Sequence, residues 1–139
     1  MTEGELNALV ARFQAADVPR AEWTHQAHLL VGAWHVHHLG AAEALLRLRT
    51  GIRRLNEANG VPNTATGGYH ETITVAYLRL LERALADGHG ASSFEARVTM
   101  LMASPLAGKD VLFRYYTREL LTSPRARAGW VAPDLQPLP

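Results

Sequence analysis

The chain contains 139 residues, of which 47% are hydrophobic and 19% are charged, a composition typical of one globular domain and unlike that of a disordered segment. Fourteen basic residues nearly balance thirteen acidic residues, and the net charge of +1 argues against a dedicated nucleic-acid-binding protein. The absence of cysteine excludes disulfides, iron–sulfur clusters and thiol nucleophiles, so any metal ion must be bound by nitrogen and oxygen atoms.

Apolar residues recur at helical spacing along the first half of the chain, and no segment alternates apolar and polar residues for long enough to indicate a strand. The pattern predicts three helices, over about residues 3–16, 25–38 and 41–59. Thr24 is the expected N-cap of the second helix, and Gly40 is its expected end. Residues 60–68 are rich in turn-forming residues, and we expect a loop there that is longer than helix packing requires.

The second half of the chain is predicted to contain three further helices followed by a tail. Their expected positions are from Tyr69 or His70 to just before Asp87, from about Ser92 to Met102, and from about Asp110 to Leu121. Four prolines after Ser123 indicate an extended tail, which Trp130 and Leu135 attach to the helices. We therefore expect an all-α, compact single-domain bundle of five to six helices over residues 1–123, with residues 124–139 as an extended, proline-containing C-terminal tail packed on it.

The sequence also carries indications of location and partners. It begins Met1-Thr2-Glu3-Gly4-Glu5, without the basic and apolar segments of a secretory signal, and no apolar run reaches the roughly 18 residues that would span a membrane. The arginine-rich third helix has Glu43 and Glu57 within one turn of its arginines, which is typical of a solvated face. We therefore expect a cytoplasmic protein with neither a membrane nor a nucleic-acid partner.

Histidines are the main candidates for functional residues, because six of the seven lie between His25 and His70. At about 100° per residue, His25, His28 and His35 lie on one side of the second helix, with Gly32 between them. Histidines at positions i and i+3 are neighbours on a helix surface and can bind one metal ion. His70 is placed on the inward stripe of the fourth helix, and metal sites in helical bundles are built from facing helices.

This pattern predicts one transition metal ion, bound by His25, His28 and His70 between helices 2 and 4. Nitrogen ligands suit zinc, copper, iron or nickel, and a zinc-bound water would transfer its proton to Glu71. The protease motif H-E-x-x-H is excluded because Thr74 stands where its second histidine is required. Two alternatives stay open: half-buried histidines that bond to carbonyl groups, and Glu71 as an ordinary acidic residue in the first turn of a helix.

Three segments together carry a resemblance to a known family. They are Trp23-Thr24-His25-Gln26-Ala27-His28-Leu29, Gly67-Gly68-Tyr69-His70-Glu71-Thr72-Ile73-Thr74, and Arg114-Tyr115-Tyr116-Thr117 with the closing Trp130-Val131-Ala132-Pro133-Asp134-Leu135. The chain resembles a family of small, mostly uncharacterised bacterial helical proteins with T-H-x-x-H-L and Y-H-E-T segments. This resemblance implies that His25, His28, His70, Glu71 and Tyr116 belong to one shared site, in which Glu71 and Tyr116 are the candidate catalytic residues.

Three functional hypotheses follow. The first is a small helical metalloprotein that acts as an enzyme on a small molecule, by hydrolytic or lyase chemistry with zinc and by oxidative chemistry with copper or iron. The second is a metal-free binding module, in which the same histidines, Trp34 and Tyr116 line a pocket for an organic ligand. The third is a homodimeric interaction protein that would use the apolar stripe at Leu45, Leu48, Ile52 and Leu55.

Overall fold

The computed structural model describes residues 1–87 and 93–139, and all regular secondary structure in these two ranges is helical. The α-helices are α1 (Glu3–Gln14), α2 (His25–Leu39), α3 (Ala41–Ala58), α4 (Glu71–Ala86), α5 (Phe94–Met102), α6 (Arg118–Leu121) and α7 (Pro124–Ala128). The predicted all-α bundle is thereby confirmed. None of the helices in these ranges combines the length and the apolar character needed to cross a lipid bilayer.

Side-chain caps set the start of α1, α2, α4 and α5. The Thr24 hydroxyl accepts a hydrogen bond from the Ala27 amide at 3.2 Å, and α2 ends at Gly40, whose φ of 80° lies in the left-handed region. Both features were expected from the sequence. Ser93 caps α5 in the same way, and the expected start of this helix at Ser92 lies outside the described residues.

Helix α2 is the centre of the bundle. Residues 29–33 are all buried, so the helix is surrounded on every side, and it packs against α1, α3, α4 and α5. The apolar stripe of α3 belongs to this core: Leu48 and Leu55 are buried, and Leu45 and Ile52 pack against the same cluster. The stripe that would have served a homodimer is therefore used within the chain.

The prediction of one helix from Asp110 to Leu121 is wrong. A 3₁₀ turn over Val111–Arg114 is followed by a break, and α6 begins only after Thr117. The backbone of Thr117 is extended because its hydroxyl and amide both donate to Asp134, at 2.6 and 2.8 Å, while its hydroxyl oxygen also caps α6. Contacts with the C-terminal segment therefore override the helical pattern of this sequence.

The segment from residue 124 is also less extended than predicted. It begins with the short helix α7, for which Ser123 is the N-cap and Pro124 the first residue, and only residues 129–139 lack helix. Val131 is buried, and its amide donates to the Thr72 hydroxyl of α4 at 3.1 Å. Leu135 remains 56% exposed, so its side chain does not attach the tail; its amide does, through the Tyr115 carbonyl.

Candidate functional site

A cavity of about 310 Å³ lies between α2, α3 and α4, which places it at the lower end of the range of ligand pockets, about 300–1,000 Å³. Most of its wall is aliphatic and comes from these three helices: Leu29, Leu48, Ile52, Ile73, Leu78 and Leu81. Its polar lining comes from Trp23, His25, His28, Thr74, Tyr77 and Lys109. The cavity is therefore an apolar chamber with a few polar groups on its wall.

Gly32 helps to keep this chamber open. It lies in the buried middle of α2 and lines the cavity, and a Cβ atom at this position would come within 2.9 Å of Leu81 Cδ1. A larger residue would therefore displace the Leu81 side chain or occupy part of the chamber. The position on the helical wheel indicated correctly that Gly32 lies beside His25 and His28.

His25 is the first residue of α2 and faces Tyr77 of α4, with the two ring centroids 5.3 Å apart in an edge-to-face arrangement. Its Nε2 atom is buried and has no hydrogen-bond partner in the part of the chain that the structure describes, and the same holds for the indole Nε1 of Trp23. Burial raises the pKa of Tyr77 to about 12, and the charge of Asp110 adds to the effect. A buried polar atom without a partner costs about 1–3 kcal/mol, so both nitrogens are unfavourably placed in the structure without a ligand.

His28 lies one turn further along α2. Its Nδ1 atom donates to the Thr24 carbonyl at 2.8 Å, which leaves Nε2 as the acceptor of the neutral ring. One face of the ring packs on Trp23, with the centroids 4.0 Å apart, while the outer part of the side chain is exposed. Desolvation of the covered part lowers the pKa of His28, which favours the neutral ring at pH 7.

His70, the third predicted metal ligand, has a different role. Its Nδ1 atom accepts from the Ile73 amide at 3.1 Å and caps α4, and its Nε2 atom donates to the Leu121 carbonyl at 2.7 Å. Because both ring nitrogens are bonded to the backbone, the predicted ligand set of His25, His28 and His70 is not assembled. Across residues 1–87 and 93–139, no three side chains of His, Asp or Glu are grouped so that they could hold a metal ion.

Glu71 is held in an ion pair. Its two carboxylate oxygens accept from Arg49 Nε at 3.0 Å and from Nη2 at 2.6 Å, and Oε1 also accepts from the Tyr69 hydroxyl at 2.7 Å. The Arg49 guanidinium lowers the pKa of Glu71, and a general base works best with a pKa near the working pH. Glu71 does not line the cavity. Its ion pair with Arg49 instead connects the start of α4 to α3.

Tyr116 and Trp34 lie away from the cavity, which corrects the expectation that they line the same pocket. Tyr116 is completely buried in a second apolar cluster, where its hydroxyl donates to the Val131 carbonyl at 2.7 Å. The indole Nε1 of Trp34 donates to Asn7 of α1 at 3.0 Å. His35, on the same side of α2, is buried with its Nδ1 atom donating to the Val31 carbonyl.

A groove of about 510 Å³ adjoins the cavity and is called here the outer groove. The two spaces share the wall residues Trp23, His28, Ile52, Ile73 and Thr74. The outer groove also contains Arg20, Arg127 and, in the loop before α4, Gly68. Gly68 has a φ of 77°, and a Cβ atom there would lie 2.5 Å from the Pro62 carbonyl oxygen, so this loop position requires glycine.

Sequence reasoning missed four residues of the site. Tyr77, Arg20 and Lys109 received no role in it, and Arg127 was assigned to an extended tail. No local pattern connects these positions to α2, because they reach the site through tertiary packing.

Comparison with known proteins adds no relative. No protein-family model matches the chain, and no curated protein and no solved structure matches it with significance. The resemblance to small bacterial helical proteins therefore stays a prediction, and the function is argued from the geometry of the cavity.

Proposed function

We propose that this chain is a binding module for a small organic molecule, which occupies the cavity between α2, α3 and α4. The observation that carries the proposal is an apolar chamber of about 310 Å³ with a few polar side chains in its lining, two of which, Trp23 and His25, have a buried ring nitrogen without a partner in the described part of the chain. Ligand sites have this composition: mostly apolar surface, with a small number of polar groups that orient the ligand.

The polar groups indicate what a ligand must offer. The indole N–H of Trp23 only donates, whereas His25 Nε2 donates or accepts according to the tautomer of the ring. A ligand with one hydrogen-bond acceptor on an apolar body would therefore satisfy Trp23 and fill the aliphatic part of the chamber. Binding would gain free energy from the burial of apolar surface, about 25 cal/mol per Å².

Binding is favoured over catalysis by the state of the two candidate catalytic residues. Glu71 is paired with Arg49, and the Tyr116 hydroxyl is bonded to the backbone of the C-terminal segment. Neither lines the cavity. The metal-dependent hypothesis loses its third ligand because both nitrogens of His70 are engaged.

The test uses 1-hexanol as a neutral apolar probe and follows the methyl NMR signals of the protein. We expect saturable shifts for Ile52, Ile73 and Leu81, which line the chamber. Gly32→Ala should weaken binding about fivefold, since one methyl group in an apolar pocket is worth about 1 kcal/mol or more. The matched control is Gly4→Ala in α1, where a Cβ atom has its nearest neighbour at 3.9 Å.

Two results would overturn the proposal. One is the absence of saturable shifts at the chamber methyls with millimolar 1-hexanol. The other is equal binding by the Gly32→Ala and Gly4→Ala variants, provided that both melt as cooperatively as the unsubstituted protein, because the probe would then bind elsewhere.

A further inference from the structure

The two connected spaces differ in their electrostatic character from the chain as a whole. The outer groove is lined by Arg20 and Arg127, and the cavity by Lys109, whereas neither space is lined by a carboxylate. The whole chain carries thirteen acidic residues against fourteen basic ones. Positive charge is therefore concentrated at the candidate site.

The acidic residues nearest to the site are engaged or lie outside its lining. Glu22, two residues from Arg20, pairs with Arg12 at 3.2 Å. Glu71 pairs with Arg49 and lines neither space. Asp110 is exposed beside Lys109 and acts on Tyr77 through its charge, but it lines neither space.

The basic side chains, in contrast, retain donors. Arg127 Nη1 donates to the Gly68 carbonyl at 2.8 Å, which holds the guanidinium in the outer groove. Because a guanidinium has five N–H donors, others remain for a ligand. Arg20 and Lys109 take part in none of the ion pairs found within residues 1–87 and 93–139.

Trp23 connects the two spaces. It lines both, and its buried indole N–H has no acceptor in the described ranges. The neutral ring of His28 packs against it at the shared wall. The aliphatic chamber and the outer groove therefore adjoin along this wall, and the groove contributes two guanidinium groups next to it.

Building on the function proposed above, we infer that the ligand is a small amphiphilic organic anion. Its aliphatic body occupies the chamber, and its carboxylate lies in the outer groove, where it faces Arg20 and Arg127. Guanidinium groups are suited to this role because they remain charged and bind carboxylates with two parallel hydrogen bonds. No carboxylate lines either space, although Asp110 and Glu57 lie near them outside the lining.

The experiment compares three probes by isothermal titration calorimetry: hexanoate, 1-hexanol and acetate. Hexanoate has both the body and the charge, 1-hexanol has only the body, and acetate has only the charge. We expect hexanoate to bind at least about tenfold more tightly than 1-hexanol, as a charge-assisted hydrogen bond allows, and acetate to bind least. Added salt should weaken the binding of hexanoate and leave that of 1-hexanol unchanged.

Variants locate the carboxylate. Arg20→Gln should weaken hexanoate binding about fivefold without changing 1-hexanol binding. Arg125→Gln, which removes the same charge from an exposed position outside both spaces, should leave the two affinities unchanged. The Arg20 side chain is exposed and forms no ion pair within the described ranges, so its substitution should not change the melting temperature.

The outcomes separate the two proposals. Equal affinity for hexanoate and 1-hexanol would overturn the anionic ligand and leave the binding function supported. Weaker hexanoate binding in Lys109→Gln but not in Arg20→Gln would overturn the placement of the carboxylate in the outer groove. No binding of either six-carbon probe would overturn the binding function itself.

Discussion

His70 and Leu121 are joined by a hydrogen bond of 2.7 Å, in which the imidazole Nε2 donates to the carbonyl oxygen at the end of α6. The same ring accepts from the Ile73 amide through Nδ1, so a single buried side chain starts α4 and attaches a segment 51 residues away. The histidine predicted as the third metal ligand is thus a structural bridge between the bundle and its C-terminal part.

His70→Ala should lower the free energy of unfolding by about 2–3 kcal/mol, because it removes an N-cap and leaves a carbonyl without its donor. His70→Asn should cost less, since an asparagine oxygen can still cap α4. Chemical denaturation of the two variants measures the difference. If His70→Ala unfolds at the same denaturant concentration as the unsubstituted protein, the bridge contributes nothing.

Stability should fall in mild acid because two buried histidines are kept neutral. Burial lowers the pKa of His35 and of His70, while an unfolded histidine titrates near 6.5. Between these values the unfolded chain binds more protons than the folded chain, so the stabilisation is complete above pH 6.5 and is lost as the pH falls through the folded pKa values.

Thermal unfolding between pH 8 and pH 5 tests this expectation. The melting temperature should be constant in the upper part of that range and decrease below about pH 6.5. Protonation of His70 at Nδ1 would remove the acceptor for the Ile73 amide, so His70→Asn should flatten the dependence. A melting temperature that rises on acidification would contradict the prediction.

The Arg49–Glu71 ion pair should stabilise the fold more than the exposed Arg47–Glu43 pair, whose two residues both lie on α3. The side chain of Glu71 is 13% exposed, whereas that of Glu43 is 44% exposed. Arg49→Gln should cost about 1–3 kcal/mol, because it leaves a carboxylate in a partly desolvated place, and Arg47→Gln about 0.5 kcal/mol or less. Equal losses in urea denaturation would show that burial of the pair has no effect.

Tyr116 should be important for stability and irrelevant to the ligand. Tyr116→Phe removes only the hydrogen bond to the Val131 carbonyl and should lower the free energy of unfolding by about 1 kcal/mol. The loss should be larger if no water replaces the hydroxyl as the donor to that carbonyl. The affinity for 1-hexanol should not change, because the residue does not line the cavity. A loss of affinity without a loss of stability would return Tyr116 to the site that the family resemblance implies.

The predictable parts of this fold depend on local chemistry. The start of α2 at His25 follows from the Thr24 hydroxyl, which satisfies an amide three residues away. In contrast, the break before Thr117 depends on hydrogen bonds to Asp134, 17 residues later. No periodic pattern in the sequence indicates such a distant partner. Local signals therefore give the long helices, and the C-terminal segment requires the tertiary structure.

The same distinction applies to the candidate site. His25 and His28 line one cavity because residues three apart on a helix are neighbours, and this much could be read from the sequence. The hydrogen bond from His70 to the Leu121 carbonyl could not be predicted from the sequence, because its acceptor lies on another helix. The interior position of His70, which is 8% exposed, was predicted correctly. A buried histidine at such a position can either bind a metal ion or connect two segments by hydrogen bonds, and the sequence does not distinguish these roles.

Lys109 provides the candidate site with a side chain that can be labelled selectively. It is the only lysine of the chain, it is exposed, and it lines the cavity. Amine-selective acylation therefore has one side-chain target, with the α-amino group as the other primary amine. A dye attached at Lys109 would sit at the chamber itself, so the entry of a ligand would be visible as a change in fluorescence without any substitution in the sequence.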